Sequence, residues 1–485
     1  MNWQNIWRLA KSDYLTLVPI LVLASYMAFI PNLSYPYPVH IDEWAHIAAA
    51  NALLQAADID YPEPFSGQGL RGLTSLLEIG FHIPFAVFYR ISGISWIDIV
   101  RYSPSIIFAV TVLSVYILAR REGFGWEAAF FTCLIPTTIG IMGPAFFVPV
   151  ALGLLFVALS LFLVFNFRTF WSYVSLFIFT VFLVIMHATS AVILIVILVP
   201  SIVLYLKSDP KHSLTLIMML TIPFLVTLPW TFNLIMDVAK SLLVQTSVPP
   251  YIDLPLLLRT YGYVPAGLGL LGVFSLAVKG GAKNYGLFIG LLALSSMLAI
   301  FFALHYGNHL IYLRGMLYML LMLSIVAGAG LMLIKNPEQL AKTGLPRIMR
   351  RIGYPLCGAL VVAILLISIP TRHNIPYYHM IEKEDYEAFI WIRDNVDEIH
   401  QKAILDPWKA TAFNALTGKY VYARKHSTPT PKGSEARDFL ESGCKDTAFL
   451  IENGISIVYN QLPCSNSNLV EVRKDVYLLK EAGNP

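Results

Sequence analysis

The sequence predicts a polytopic α-helical membrane protein that carries a soluble α/β domain at its C-terminal end. Hydrophobic residues make up 57% of the 485 positions, and charged residues make up only 13%. A soluble globular domain usually carries about 25% charged residues, so most of this chain is too apolar to fold in water alone. Residues 371–485, by contrast, contain no apolar run that is long enough to cross a membrane.

A transmembrane helix needs about 20 mostly apolar residues. About eleven stretches of the chain meet this requirement. They lie near residues 13–31, 99–119, 126–143, 147–166, 171–188, 190–206, 213–234, 261–278, 285–304, 311–334 and 353–370. We therefore expect a transmembrane domain over residues 1–370, with a long first outer loop at 32–98, and a separate domain over residues 371–485.

Basic residues between the apolar stretches predict the orientation, because cytoplasmic loops are enriched in Lys and Arg. These residues all fall on one side of the membrane if 32–98 forms a single outer loop. They are Arg8, Lys11, Arg120, Arg121, Arg168, Lys207, Lys211, Lys279, Lys283, Lys335, Lys342, Arg347, Arg350 and Arg351. We therefore expect a protein of the cell membrane with a cytoplasmic N-terminus and an extracytoplasmic C-terminal domain.

The stretch LTSLLEIGFHIPFAVFYRIS (73–92) is also long enough to span. It carries Glu78, His82, Pro84 and Arg90, and counting it as a span would move the later basic residues to the outside. We therefore expect it to lie at the outer interface or to dip into it.

The C-terminal region reads as a compact α/β domain. Apolar residues recur at helical spacing over 382–396, and short β-strands are expected at 402–406, 419–423, 455–460 and 476–480. Cys444 and Cys464 both lie in this domain and could form a disulfide in an oxidising compartment.

The segment YPVHIDEWAHIAAANALLQ (37–55), on the first outer loop, is the most informative part of the sequence. Asp42 and Glu43 stand at the start of a short predicted helix, flanked by His40 and His46. One interpretation is structural, with Asp42 capping the helix and Glu43 favouring its N-terminal dipole. The other is catalytic, since a carboxylate facing outward at the lipid boundary can act as a general base.

Five segments carry a further signal through their order along the chain. They are HIDEWAHIAAANALL (40–54), the segment from Gly80 to Arg121, HATSA (187–191), YLRGMLYML (312–320) and YEAFIWIRDNV (386–396). This order of features resembles the GT-C class of membrane glycosyltransferases, which includes protein O-mannosyltransferases, aminoarabinose transferases and oligosaccharyltransferases.

The resemblance implies an inverting transfer on the outer face, from a polyprenyl-phosphate-linked sugar donor to a lipid, glycan or protein acceptor. Asp42 is the first choice for the general base and Glu43 the second. Cations would stabilise the leaving phosphate, and Arg314 is the best candidate, although it could equally be a snorkelling arginine at a helix end. Further substrate-binding candidates are His82, Arg71, His187 and His46, each of which could instead be a structural residue.

The sequence departs from the oligosaccharyltransferases in two places. IMGPAFFVPV (141–150) lacks the second acidic motif of those enzymes, and residues 371–485 lack their tryptophan-rich acceptor motif. We therefore expect neither N-glycan transfer nor a required cofactor. A divalent metal is still possible, because Asp42, Glu43 and the nearby histidines are competent ligands.

Two other functions compete with glycosyl transfer. A secondary transporter would place ionisable groups near the centres of broken helices, but the predicted span centres contain almost no Asp, Glu, Lys or Arg. A non-catalytic subunit with the same fold would not need the Asp42–Glu43 pair. The net charge of +4 is small and does not suggest nucleic acid as a partner.

Overall fold

The structure is a computed structural model that describes residues 13–59, 61–66, 78–242, 254–305, 309–336, 347–425 and 430–480. Its helices are α1 (Asp13–Phe29), α2 (Ile41–Ala56), α3 (Ile79–Ser92), α4 (Trp96–Arg120), α5 (Gly125–Thr132), α6 (Pro149–Asn166), α7 (Phe170–Ser208), α8 (Pro210–Leu242), α9 (Leu254–Tyr261), α10 (Tyr263–Lys279), α11 (Ala282–Leu304), α12 (His309–Lys335), α13 (Arg347–His373), α14 (Lys383–Asn395), α15 (Ala410–Thr417), α16 (Pro431–Glu441) and α17 (Thr447–Glu452). Its strands are β1 (Lys402–Ile404), β2 (Tyr420–Val421), β3 (Ile457–Tyr459), β4 (Leu469–Arg473) and β5 (Val476–Leu479).

The chain divides into two compact units. The helical unit comprises residues 1–34 and 100–377, and the α/β unit comprises residues 35–99 and 378–485. The predicted first outer loop therefore belongs to the same compact unit as the C-terminal region.

The described helices confirm a polytopic membrane protein but not the predicted count of about eleven spans. Seven of them are long and apolar enough to cross a membrane, or eight if α9 and α10, bent by 94°, form one broken span. Within the predicted span 126–143 only the last seven residues of α5 are helical, because Pro136 and Pro144 lie in the stretch that follows. The predicted spans 171–188 and 190–206 both lie in the 39-residue helix α7, which is interrupted by non-helical backbone angles at His187, close to the predicted boundary between them.

Within the helical unit, α10 and α12 pack closely because glycines occupy their contact. A Cβ atom added to Gly272 would lie 1.8 Å from the Val326 carbonyl oxygen, and one added to Gly330 would lie 2.0 Å from that of Leu268. Small residues at such contacts let the two helix backbones approach closely. Because lipid is as apolar as the side chains, membrane helices associate largely through this van der Waals packing.

Polar groups at the ends of several helices in the helical unit lie together. Lys279 and Lys283 place their ammonium nitrogens 3.2 and 3.6 Å from the Glu122 carboxylate. Lys283 also donates to Asn166 Oδ1 at 2.9 Å, and Arg121 donates to the Asn166 carbonyl at 3.0 Å. The C-terminal ends of α4, α6 and α10 therefore meet at one end of this unit.

The α/β unit contains a mixed sheet of five described strands in the order β2-β1-β3-β5-β4. β1 is parallel to β2 and β3, whereas β5 runs antiparallel to β3 and β4. Four of these strands were predicted, and β4 was not. A disulfide between Cys444 and Cys464, which the sequence left open, joins the chain just after α16 to the chain beyond β3.

Hydrogen bonds fix the first-loop segment to the C-terminal elements of the α/β unit. The Tyr35 hydroxyl donates to the Ile381 carbonyl at 2.8 Å, and the Val421 amide of β2 donates to the Phe65 carbonyl at 2.8 Å. Asn51 on α2 donates to the Ala415 carbonyl on α15 at 3.1 Å. Helix α2 is therefore mounted on the C-terminal elements, although more than 350 residues separate the two in sequence.

Asp385 forms the polar centre of the α/β unit. It is fully buried, and Oδ1 accepts from Lys409 Nζ at 2.7 Å, from the Tyr459 hydroxyl at 2.5 Å and from Gln461 Nε2 at 3.2 Å. Its second oxygen caps α14 by accepting from the Glu382 amide at 2.8 Å. These bonds tie α14 to β3 and to the start of α15.

We expect Asp385→Ala to destabilise the α/β unit by roughly 3 kcal/mol, because it leaves the Lys409 charge and three other donors without their acceptor. The measurement is the unfolding midpoint of the purified protein in detergent, followed by intrinsic fluorescence. Glu384→Ala, at an exposed neighbouring position of the same helix, is the matched control and should change the midpoint little. Equal midpoints for the two variants would contradict the role given to Asp385.

Candidate active site

Asp42 and Glu43 lie in the first turn of α2, and their side chains have different surroundings. Glu43 is buried, and its Oε2 accepts from the Val39 amide at 2.8 Å and from the His40 amide at 2.9 Å. His40 is the N-cap, and its Nδ1 accepts from the Asp42 amide at 3.1 Å. The Glu43 carboxylate therefore caps the start of α2, in a capping box with the His40 side chain.

Asp42 keeps 42% of its side chain exposed, and its Oδ2 lies 3.9 Å from His40 Nδ1. The capping role that the sequence suggested for Asp42 is therefore filled by its neighbours. Of the two acids, Asp42 is the one whose carboxylate faces a solvent-accessible space.

Arg424, which no sequence motif had marked, lies close enough to Asp42 to interact with its charge. Burial lowers the pKa of Arg424, and the negative charges of Glu63 and Asp42 oppose that shift. The guanidinium stands 3.5 Å from Glu63 Oε1 and stacks over the Phe65 ring at 4.2 Å. An arginine within electrostatic range of the candidate base can help to hold an anionic or hydroxyl-rich ligand.

Glu63, Phe65 and Arg424 also line a cavity of about 640 Å³ in the α/β unit. Tyr422, Lys432 and Glu435 also line this cavity, and the Tyr422 hydroxyl donates to the Glu435 carboxylate. The volume falls within the range of small-molecule sites, about 300–1,000 Å³.

His46 and His82 come together with Glu78 where α2 packs against α3. His46 Nδ1 lies 3.1 Å from His82 Nε2 and 3.8 Å from Glu78 Oε2. Both histidines are buried, and burial lowers the pKa of His82 to about 4, so its imidazole is neutral at neutral pH. Neutral imidazoles and a carboxylate are a competent ligand set for a metal ion.

A second polar group lies in the helical unit around His187. This residue adopts non-helical backbone angles (φ −161°, ψ 85°) that interrupt α7, and its Nδ1 lies 2.5 Å from Ser190 Oγ. Ser190 also hydrogen-bonds the Tyr318 hydroxyl on α12, and Arg314, one turn earlier on that helix, interacts electrostatically with His187 and Tyr318. The structure therefore brings Arg314 and His187 together, as a shared site would require.

Gly153 on α6 makes this polar group possible. A Cβ atom there would lie 2.4 Å from the Tyr318 hydroxyl and 2.5 Å from Ser190 Oγ.

The predicted site residues fall into two groups: Asp42, Glu43, His46 and His82 in the α/β unit, and His187 and Arg314 in the helical unit. Arg71 lies outside the described residues.

Solved structures with the same fold match this chain along almost its whole length. The oligosaccharyltransferase AglB from Archaeoglobus fulgidus, in complex with an inhibitory peptide and a dolichol-phosphate, has a TM-score of 0.64 and 12% identity, over 93% of this chain and 70% of that chain. The arabinofuranosyltransferase AftD from Mycobacteria has a TM-score of 0.59 and 13% identity, over 97% of this chain and 40% of that chain. The chain has the GT-C fold.

ArnT from Cupriavidus metallidurans, in the apo state, is also similar to almost the whole of this chain. Its TM-score is 0.54 at 11% identity, over 96% of this chain and 98% of that chain. No family model and no curated protein matches the sequence. At these identities the likeness concerns the fold alone.

Proposed function

We propose that the chain is a membrane glycosyltransferase that moves a sugar from a polyprenyl-phosphate-linked donor to an acceptor on the outer face of the membrane. The observation that carries this proposal is the GT-C fold, matched over 93–97% of the chain by AglB and AftD, which are both glycosyltransferases. The dolichol-phosphate bound to AglB supports a lipid-phosphate donor.

Asp42 is the general base of the proposed reaction. Its carboxylate is partly exposed and within electrostatic range of Arg424, whereas the Glu43 carboxylate accepts hydrogen bonds from the Val39 and His40 amides at the start of α2. The acceptor hydroxyl or amine gives its proton to Asp42 while its heavy atom attacks the anomeric carbon. The bond from that carbon to the phosphate oxygen breaks, and the configuration inverts.

The leaving group is a lipid phosphate that carries negative charge as the bond breaks. Arg314 supplies a fixed positive charge for it, and His187 is a neighbouring hydrogen-bonding group. A cation preorganised at the point where charge develops lowers the barrier more than one that must be recruited from solvent. This chemistry requires no cofactor.

The C-terminal region and Asp42 face the outside in this proposal, and the N-terminus is cytoplasmic. The support is the grouping of basic residues at one end of the helical unit, around Glu122 and Asn166. Cytoplasmic ends of membrane helices are enriched in Lys and Arg.

The test is a transfer assay with the purified full-length protein in detergent, using labelled sugars on polyprenyl phosphate and a panel of lipid, glycan and peptide acceptors. We expect release of polyprenyl phosphate together with a labelled product. Transfer from nucleotide sugars alone would contradict the donor class. Substrate flux in liposomes, with no covalent product from any donor, would favour the transporter instead.

A further inference from the structure

We propose that His46, Glu78 and His82 form a zinc site that clamps α2 to α3. The three residues come from two helices that pack against each other, since His46 lies on α2 and the other two lie at the start of α3. Their ligand atoms all lie within 4.8 Å of one another. Binding of a metal ion here is independent of the proposed sugar transfer.

Two of the three separations between ligand atoms are close to those around a tetrahedral ion. Zinc bonds of about 2.0–2.2 Å place neighbouring tetrahedral ligand atoms roughly 3.3–3.6 Å apart. The His46 Nδ1 to His82 Nε2 distance is 3.1 Å, and the His46 Nδ1 to Glu78 Oε2 distance is 3.8 Å. Movements of a few tenths of an ångström would bring both pairs to ligand spacing.

The chemistry of the three groups selects the metal. Two imidazole nitrogens and one carboxylate suit zinc, whereas Mg²⁺ and Ca²⁺ prefer ligand sets made entirely of oxygen. Both histidines are less than 10% exposed, while the Glu78 side chain is 36% exposed. The carboxylate side is therefore open, so an ion can enter there and keep water as its fourth ligand.

Tyr61 hydrogen-bonds the ring nitrogen of His82 that does not face the metal site, and such a bond orients a metal-binding histidine. Its hydroxyl lies 3.4 Å from His82 Nδ1, the ring nitrogen on the side away from His46. When the Nδ1 proton is donated to this oxygen, the Nε2 lone pair faces the centre of the cluster. The partner thereby fixes both the tautomer and the ring orientation.

Binding would also stiffen the helix that carries Asp42. Asp42 and His46 are four residues apart on α2, so they lie on the same face of that helix. An ion between His46 and α3 would restrain α2 near its first turn. The competing interpretation is a hydrogen-bonded cluster that holds no ion.

The test uses the full-length protein purified in detergent without a histidine tag, stripped with EDTA, and then given ZnCl₂. Bound zinc is measured by elemental mass spectrometry after gel filtration, and affinity by competition with a chromophoric chelator. We expect about one zinc per chain. Glu78→Gln and His82→Gln should each weaken binding by roughly 100-fold or more, and Tyr61→Phe by about 10-fold.

His212→Gln is the matched control, because His212 is another buried histidine that hydrogen-bonds a tyrosine, Tyr173, and lies in the helical unit. It should bind zinc as the unaltered protein does. Gel filtration and the unfolding midpoint in EDTA show that each variant is folded. Failure of the unaltered protein to retain zinc, or unchanged affinity in both the Glu78 and His82 variants, would overturn the proposal in favour of the ion-free cluster.

Discussion

Asp42→Asn is expected to lower sugar transfer by roughly 100-fold to 10,000-fold, the usual contribution of a positioned general base. The amide keeps the size of the carboxylate but cannot accept the acceptor's proton. The Asp42 side chain is partly exposed, and the backbone bonds at the helix start involve His40 and Glu43, so the fold should be unaffected. The measurement is kcat in the transfer assay, with the unfolding midpoint recorded alongside.

Two controls separate catalysis from helix capping. Glu43→Gln removes charge from the capping oxygen and should cost about 1 kcal/mol of stability, with a smaller effect on turnover than Asp42→Asn. Asp98→Asn alters another exposed first-turn acid of the α/β unit, at the start of α4, and should leave turnover unchanged. Normal turnover in Asp42→Asn would remove that residue from the role of base.

Arg314→Ala is expected to reduce transfer by roughly 100-fold to 1,000-fold, because the proposed mechanism uses the fixed positive charge of Arg314 to stabilise the leaving phosphate. The loss should weaken use of the donor more than use of the acceptor. Steady-state kinetics with each substrate varied in turn will separate the two effects. Arg314→Lys should recover part of the rate, since it restores the charge without the planar fork.

Arg121→Ala provides the comparison for Arg314, because Arg121 is also an arginine at the end of a membrane helix and donates to the Asn166 carbonyl. It should leave both kinetic constants close to their normal values. If Arg314→Ala impaired donor and acceptor equally, or not at all, the residue would be a helix-end arginine without a role at the phosphate.

The features that could be predicted from sequence are those that depend on local composition. Hydropathy identified the membrane helices, because a run of about 20 apolar residues is rare outside a membrane span. It failed at 126–143, where prolines and glycines end the helix after eight residues, since mean hydropathy does not register backbone limits. β4 was missed because its central residues are mostly exposed and its pattern is weakly apolar.

The site was predictable only in part, because its members are brought together by tertiary contacts. The Asp42–Glu43 pair stood out locally, but no local pattern distinguishes the acid that caps the helix from the one that stays exposed. Glu78 and His82 lie more than 30 residues from His46, and Arg424 lies about 380 residues from Asp42 in sequence. Spacing along the chain carries no information about such proximity in the absence of a known ligand pattern.

The mounting of α2 on the C-terminal elements has a practical consequence. Hydrogen bonds from Tyr35 to Ile381, from Asn51 to Ala415 and from Val421 to Phe65 hold the first loop and the C-terminal elements together as one folded unit. A truncation before residue 378 would therefore not yield a minimal enzyme that lacks an accessory module. It would remove the elements against which the helix bearing Asp42 packs. The inactivity of such a truncated protein would therefore not show whether residues 378–485 contact the substrate.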